Sequence, residues 1–224
     1  MSVPRLRSPL GLGRATVVLL GLVALTDLLA IGAGFGVYRV ADDLARGSGA
    51  FGAALTGRAH HADTLYTASG VAQTAMWLVC AVVFLVWLYR VRVNAEVFRP
   101  DGHSKARAWV IAGWVVPLAN FWYPRRVVLD VWDASGPAGA RPRHGLVNLW
   151  WALWLVTSQV GWLMQRAYGS AHTAADFREA ALEVMISDAV DIVAAGLAVL
   201  VVLRLTRMQH QKALAGPMLV PALG

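Results

Sequence analysis

The stretch Gly113-Trp-Val-Val-Pro-Leu-Ala-Asn-Phe-Trp-Tyr-Pro124 decides how this chain is organised. It is too apolar for an exposed loop. With Pro117 inside it, it is also too short for an unbroken membrane helix, which needs about 20 apolar residues. Two long apolar segments precede it and two follow it. Whether it crosses the membrane or returns to the side from which it entered therefore sets the topology of the whole chain.

The composition of the 224-residue chain is typical of an integral membrane protein. Hydrophobic residues make up 58% and charged residues 15%, against about 25% charged in an ordinary soluble domain. The net charge of +7 does not indicate nucleic-acid binding, because the arginines lie at the ends of apolar segments, as in membrane proteins. The expected partner is the lipid bilayer, and the sequence leaves protein partners and oligomeric state open.

Four segments are long and apolar enough to cross a bilayer as helices, at residues 15–38, 69–91, 146–164 and 180–203. Residues 1–14 are basic and precede the first segment, which we interpret as an uncleaved signal anchor. Its apolar part is long for a signal peptide and has no Ala-x-Ala end. We predict a polar loop at residues 39–68 with a short helix near 49–55, and a flexible tail at residues 207–224. The helix of the second span is predicted to continue to Phe98, before the turn residues Pro100-Asp101-Gly102.

The distribution of lysine and arginine decides between four and five crossings. If residues 109–122 re-enter and both termini are cytoplasmic, fifteen of the twenty basic residues lie on the cytoplasmic side. If the stretch crosses, they divide equally between the two sides. Because cytoplasmic flanks carry the excess of positive charge, the sequence favours four crossings and an inner-membrane location.

The residues of the stretch itself fit a re-entrant segment. Pro117 removes a backbone donor and breaks a helix, which hydrocarbon tolerates only where protein or water covers the freed groups. Asn120 is expected to cap one such group, and Trp114 and Trp122 to hold the segment at headgroup depth. Residues 124–135 alternate apolar and charged side chains with helical spacing, which predicts a short helix lying in the interface.

Two sequence segments together resemble a known family. They are Phe84-Leu-Val-Trp-Leu-Tyr-Arg-Val-Arg-Val-Asn94 and the pattern Gly113-Trp-x-x-Pro-x-x-Asn-x-Trp-x-Pro124, followed by Trp132-x-Ala-Ser135. This combination resembles a bacterial membrane family known as domain of unknown function 4328. The resemblance implies a multi-span inner-membrane protein and no particular activity. The signature residues that it marks are Trp87, Arg90, Asn94, Trp114, Pro117, Asn120, Trp122 and Pro124.

Trp87, Arg90 and Asn94 are spaced by three and four residues and therefore share one face of the second helix. We predict that this face docks onto residues 113–124, with Arg90 or Asn94 binding their unpaired carbonyls. The alternative is that the Arg90 side chain extends to the lipid headgroups.

Three acids inside the predicted spans are the candidate polar site: Asp27, Asp188 and Asp191. An acid at the bilayer centre costs about 2.5–3.5 kcal/mol on insertion scales, so each needs a reason to be there. One interpretation is a proton or cation site, or the polar end of a ligand cavity. The other is hydrogen bonding between helices, with Gln73, Thr74, Ser158 or Gln159 as partners.

Other chemistries lack the residues that they need. All six histidines are expected in loops or tails, which does not suit haem, and the His-Glu-x-x-His motif of zinc proteases is absent. The single cysteine, Cys80, forms no intrachain disulfide and is interpreted as a core residue. An aspartyl protease pair of Asp27 with Asp191, and a metal site at His60-His61-x-Asp63, are weaker alternatives. No cofactor or metal is expected.

The sequence thus predicts an all-α integral membrane protein with four spans, a re-entrant half-helix and an interfacial helix. The favoured function is a non-enzymatic scaffold or sensory module. The alternative is a small transporter or a proton- or cation-linked permeation protein that uses the three acids. These two functions differ in whether the acids line a connected cavity or pack against neighbouring helices.

Overall fold

The computed structural model describes residues 6–47, 53–137, 139 and 142–215. These residues form α-helices and one 3-10 turn, with no strand among them. The helices are α1 (Leu10–Ala45), α2 (Ala53–Phe98), α3 (Trp109–Val115), α4 (Tyr123–Ser135), α5 (Gly145–Gly169) and α6 (Ala174–Leu214), and the 3-10 turn is Ala119–Phe121. The all-α prediction is confirmed.

The first two helices are longer than predicted. The helical end of α2 at Phe98 is confirmed, but most of the expected polar loop at residues 39–68 is helical, since α1 ends at Ala45 and α2 begins at Ala53. Residues 48–52, which hold part of the predicted short helix near 49–55, lie outside the described residues. Polar side chains can extend the helices because they find partners: Arg58 pairs with Asp43 at 2.9 Å and Arg46 with Asp42 at 3.1 Å.

The last helix begins at Ala174, before the span predicted at residues 180–203, and continues beyond the end of that span. The expected flexible tail at residues 207–224 is wrong for residues 207–214, which belong to α6. They remain helical because this part of α6 is packed on one side, with Leu205, Thr206 and Gln209 buried. Residues 216–224 lie outside the described part of the chain.

Three of the helices, α1, α2 and α6, are long and apolar enough to cross a membrane. Most of their apolar surface faces outward, as a lipid-facing surface does. Leu28 and Leu29 on α1 and Val82 on α2, for example, are each about 60% exposed. In water such continuous apolar surface would be unfavourable, so the structure agrees with a membrane protein. The helix α5, which contains the third predicted span at residues 146–164, is not among these three.

The chain forms two compact units. Unit 1 consists of Met1–Val18, Ala81–Leu149 and Val199–Gly224, and unit 2 of Leu19–Cys80 and Trp150–Ala198. The core of unit 1 contains Trp87, Leu88 and Val91 of α2, valines of α4, and Val202 and Leu205 of α6, all nearly inaccessible to solvent. In the core of unit 2, small residues such as Ala30, Ala181 and Ala194 are buried between the helices.

Residues 109–122 form a broken helix, as Pro117 predicted. The helix α3 ends at Val115, and Val116 adopts an extended backbone with ψ of 116°. The 3-10 turn follows, and α4 begins with Pro124 in its first turn, where a missing N–H costs nothing. The bend exposes apolar side chains, with Val115 74%, Leu118 76% and Trp122 66% accessible.

The helix α4 is more buried than an interfacial helix. Residues 124–135 are helical as predicted, but Val127, Val128, Val131 and Trp132 are all buried. Asp130, which the pattern assigned to a polar face, is also buried. The spacing gives the reason, because Asp130 is three residues after Val127 and so lies on the same side of the helix as that valine.

Candidate functional site

The three predicted acids lie in unit 2, and a glutamine joins two of them. The Gln73 side-chain amide nitrogen on α2 donates to the Asp27 carboxylate of α1 at 3.0 Å and to the Asp188 carboxylate of α6 at 3.2 Å. Asp27 and Asp188 are only 6% and 8% exposed. Asp191 lies close enough to interact electrostatically with both. Contacts within one unit thus bring these acids close together.

Of the four alternative partners for the acids, Gln73 is the one whose side chain bonds them across helices in the described residues. The hydroxyls of Thr74 and Ser158 bond carbonyls of their own helices, Gly70 and Leu155, and Gln159 is exposed. Hydroxyls inside a helix have a backbone carbonyl one turn back within reach. That local bond competes with any partner on another helix.

Thr157 is a member of this cluster that the sequence analysis missed. It is buried, and its side chain interacts with Asp191. Its hydroxyl also donates to the Trp154 carbonyl at 3.3 Å. The adjacent Ser158 is also a hydroxyl residue in the same apolar segment, so the sequence does not distinguish the two. The rotation of α5 about its axis decides which of them faces Asp191.

A small cavity lies beside the cluster but does not contain it. Its volume is about 170 Å³ and its walls are mostly apolar side chains of α5 and α6: Val156, Thr157, Val160, Met164, Glu183, Ile186, Ser187 and Val190. The acids Asp27, Asp188 and Asp191 do not line it. The Oδ2 atoms of Asp27 and Asp188 are buried and have no hydrogen-bond partner among the described residues. These carboxyls are packed between helices, with hydrogen-bonding capacity left over.

The signature residues of α2 bind differently from the prediction. Asn94 donates to the Arg7 carbonyl at 2.8 Å and to the Gln209 side chain at 3.1 Å, and accepts from the Arg7 N–H at 3.0 Å. Arg90 donates to the Ser8 carbonyl at 3.4 Å. Neither bonds residues 113–124, so the docking prediction is wrong for both. Helical spacing identified the shared face, but it does not reveal which segment packs on that face.

Gln209 completes a polar network in the core of unit 1. Its side-chain amide donates to the Val91 carbonyl at 2.7 Å and to the Ser135 hydroxyl at 3.1 Å. Nearby, the Trp87 indole N–H donates to the Thr206 hydroxyl at 3.0 Å. Gln209 is four residues after Leu205 and seven after Val202, so it lies on the apolar face of α6. A polar residue on that face is a sequence signal for a buried hydrogen-bonding group.

The segment before α3 is held by a different face of α2. Arg92 donates to the Lys105 carbonyl at 2.7 Å and pairs with Glu96 at 2.6 Å, and Glu96 also pairs with Arg107. The pairing with Glu96 raises the pKa of Arg107 above its usual range. The buried carboxylate of Asp130 accepts from the Ser104 N–H at 2.8 Å. These contacts of α2 thus hold the residues just before α3, and not the bend at Pro117.

The remaining signature residues lie around the break at Pro117. The Trp114 ring packs edge-on against Phe84 of α2, with centroids 5.5 Å apart, and Pro124 is buried. Pro117 and Trp122 are exposed. The Oδ1 atom of Asn120 is buried without a hydrogen-bond partner in the described part of the chain, so the predicted cap by this oxygen is not formed.

The alternative of a metal site at His60-His61-x-Asp63 gains no geometric support. His60 and His61 lie in α2 and His210 in α6, which corrects the expectation that all the histidines lie in loops or tails. Neighbouring residues on a helix point in different directions, so His60 and His61 are not placed to share a metal. Within the described residues, no three His, Cys, Asp or Glu side chains form a group that could hold a metal ion.

Comparison with known proteins places the chain in a family. The family described as Domain of unknown function (DUF4328) matches residues 52–207, and the chain belongs to it. No curated protein and no solved structure shows significant similarity to the chain. The match covers the signature residues, the Gln73 and Asp188 pair and Asp191, but not Asp27.

Proposed function

We propose that this DUF4328 protein is a non-enzymatic scaffold or sensory module of the bacterial inner membrane. The observation that carries the proposal is the way Gln73 holds Asp27 and Asp188 between α1, α2 and α6. An amide shared by two buried carboxyls stabilises a helix contact. A permeation pathway instead needs its acids to face a water-filled cavity, and these acids do not line the cavity beside them.

We propose four crossings, with both termini in the cytoplasm and α5 as the third span. In this arrangement fifteen of the twenty basic residues are cytoplasmic, as the positive-inside rule requires. The 25 residues of α5 give a length of about 37 Å at 1.5 Å per residue, enough to cross the hydrocarbon core. Residues 109–122 re-enter from the cytoplasmic side, with the exposed apolar side chains of Val115, Leu118 and Trp122 in lipid.

Cysteine labelling tests this topology. In a Cys80→Ala background, single cysteines at Asp101, Leu118 and Ser170 are exposed to a membrane-impermeant maleimide in spheroplasts. The four-span arrangement predicts labelling of Ser170→Cys alone, and labelling of Asp101→Cys only after the membrane is opened. If Asp101→Cys is labelled in closed spheroplasts, the proposed orientation is wrong.

A transport function is the second candidate, and one observation favours it. Asp27 and Asp188 each keep one buried oxygen without a hydrogen-bond partner among the described residues. Such an oxygen can bind a proton or a cation, whereas a purely structural contact needs neither. The two functions therefore make opposite predictions about ion movement.

Flux measurements in proteoliposomes separate the two functions. We expect proton and monovalent-cation fluxes through the wild-type protein to equal those of protein-free liposomes, and Asp27→Asn and Asp188→Asn to change nothing. The control variant is Asp63→Asn, the same change at an exposed position of α2. A wild-type flux that is abolished by Asp27→Asn and Asp188→Asn but kept by Asp63→Asn would overturn the scaffold proposal.

A further inference from the structure

A second and larger cavity lies in unit 1, and its lining differs from that of the first. Its volume is about 710 Å³. It is formed by the end of α2, the end of α4, the residues before α5 and the last turns of α6. Apolar surface comes from Phe98, Trp132 and Met208. Its size is within the range of small-molecule sites, about 300–1,000 Å³.

Positive charge dominates this cavity. Among the described residues that line it, four are basic, Arg99, Arg143, Arg204 and Lys212, and one is acidic, Asp133. The Asp133 carboxylate is engaged by His144, at 2.6 Å. In the described part of the chain, none of the four basic groups forms an ion pair with a carboxylate. Clustered cations repel one another, so an anion in this cavity would be stabilised.

Two of the cations are held in position. The Arg204 guanidinium stacks over the Trp132 ring at 5.6 Å, which leaves the N–H groups at its edge free to donate. The Lys212 ammonium donates to the carbonyls of Ala134 and Gly136, at 2.8 and 3.0 Å. The same ammonium lies over the Phe98 ring, 5.4 Å from its centroid, and the two carbonyl bonds use two of its three donors.

We propose that this cavity binds a phosphate group carried by a small anionic headgroup. Guanidinium groups match the oxygens of a phosphate with paired hydrogen bonds, and Phe98 and Met208 offer apolar surface to the carbon atoms beside it. An anionic membrane lipid and a soluble phosphate ester both supply this chemistry. Basic pockets at the cytoplasmic ends of membrane helices suit lipid headgroups, and the cavity has this location in the proposed topology. The proposal does not depend on the scaffold function.

Thermal unfolding and native mass spectrometry of the full chain test the proposal. The probes are nanodiscs of phosphatidylcholine alone, nanodiscs with added phosphatidylglycerol, and sodium pyrophosphate added to the first kind at constant ionic strength. The variant Arg99→Gln/Arg204→Gln removes two cavity charges. The control Arg14→Gln/Arg207→Gln removes two exposed charges outside the cavity, one of them on the same helix as Arg204.

We expect phosphatidylglycerol or pyrophosphate to raise the unfolding temperature of the wild type and of the control variant. The cavity variant should lose about tenfold or more in affinity, as the loss of one charged hydrogen bond predicts. Stabilisation and retention of phosphatidylglycerol alone identify a lipid headgroup, and stabilisation by pyrophosphate alone identifies a soluble phosphate. The single variant Arg143→Gln, at an exposed side chain, should weaken binding of the same ligand without affecting folding.

Two results would overturn the proposal. One is equal stabilisation of the cavity variant and the control variant by either probe, since the effect would then come from charge in general. The other is a wild type that neither probe stabilises or binds, with unfolding in phosphatidylglycerol nanodiscs equal to that in phosphatidylcholine.

Discussion

Unit 1 and unit 2 each use a glutamine to join helices, but the two glutamines differ in how completely their surroundings are satisfied. In unit 1, Gln209 donates to Val91 and Ser135 and accepts from Asn94. In unit 2, the single amide of Gln73 serves both Asp27 and Asp188, and each carboxyl keeps one buried oxygen without a partner among the described residues.

This difference separates structure from candidate chemistry. A fully satisfied buried network stabilises and specifies one packing, whereas an incompletely satisfied one leaves groups that can respond to a proton or a ligand. The family signature residues Trp87 and Asn94 belong to the satisfied region. The network around Trp87 and Asn94 therefore specifies how unit 1 packs, and the acids of unit 2 keep hydrogen-bonding capacity that their contact with Gln73 does not use.

The largest expected effect is the loss of Gln209. Gln209→Leu removes the side-chain donor to the Val91 carbonyl and the Ser135 hydroxyl, and the acceptor of the Asn94 amide, and should destabilise the protein by about 3 kcal/mol or more. Unfolding in mixed micelles by titration with a denaturing detergent measures it. The matched control is Gln211→Leu, an exposed position on the same helix. Equal stability of the two variants would contradict the central role of this network.

Loss of Gln73 should have a smaller effect that depends on the acids. Gln73→Leu removes the donor shared by two carboxyls and should cost about 1–3 kcal/mol. In an Asp27→Leu/Asp188→Leu background the same change should cost less than about 0.5 kcal/mol, because no carboxyl remains to be left unpaired. A double-mutant cycle of unfolding free energies measures this coupling. An equal cost in both backgrounds would show that the bridge does not contribute.

Tight packing in unit 1 gives the third prediction. A Cβ added at Gly13 of α1 would lie 2.7 Å from the Thr206 hydroxyl, which accepts from Trp87. Gly13→Ala should cost about 1–3 kcal/mol by overpacking. At Gly11 an added Cβ meets no atom within 4 Å, and because the backbone there is helical, Gly11→Ala should stabilise the protein by about 0.4–1 kcal/mol. Thermal unfolding of both variants decides whether this approach of α1 to α6 is present.

The smallest expected effect is a pH dependence in unit 1. Burial, together with the nearby charge of Arg92, lowers the pKa of His103 below its ordinary value, although Glu96 and Asp130 act in the opposite direction. The unfolded chain then takes up the proton first as the pH falls. Stability is therefore complete above the ordinary pKa of about 6.5 and decreases below it.

The test compares unfolding temperatures between pH 8 and pH 5.5. His103→Gln should lower the temperature less on acidification than the wild type does. His61→Gln, at an exposed position of α2, is the matched control. If the His103→Gln variant is as sensitive to acid as the wild type, protonation of His103 is not the cause of the pH dependence.

Features set by local chemistry were predictable from the residues. The break at Pro117 depends only on a missing N–H and a ring that does not fit a helix. The end of α2 at Phe98 depends on the turn residues that follow it. Family membership followed from two local sequence patterns, one around Trp87 and one at residues 113–124, and the family match confirms it.

Features set by contacts between distant residues were not predictable. Residues 53–68 looked like a loop because they are polar, yet Arg58 finds Asp43 fifteen residues earlier in the chain. The predicted partner of Asn94 was wrong because helical spacing shows which residues share a face, but not which segment of the chain packs against that face.

The sequence by itself determined that this chain belongs in a membrane, that its helix breaks at Pro117 and that Asp27, Asp188 and Asp191 need explanation. These features follow from hydropathy, ring geometry and charge, which act through each residue and its immediate neighbours. Only the tertiary structure decided that Gln73 joins Asp27 to Asp188, that Gln209 binds Asn94, and that four basic side chains surround one cavity. Those contacts join residues up to 115 positions apart, and such pairings depend on how helices rotate and pack against one another.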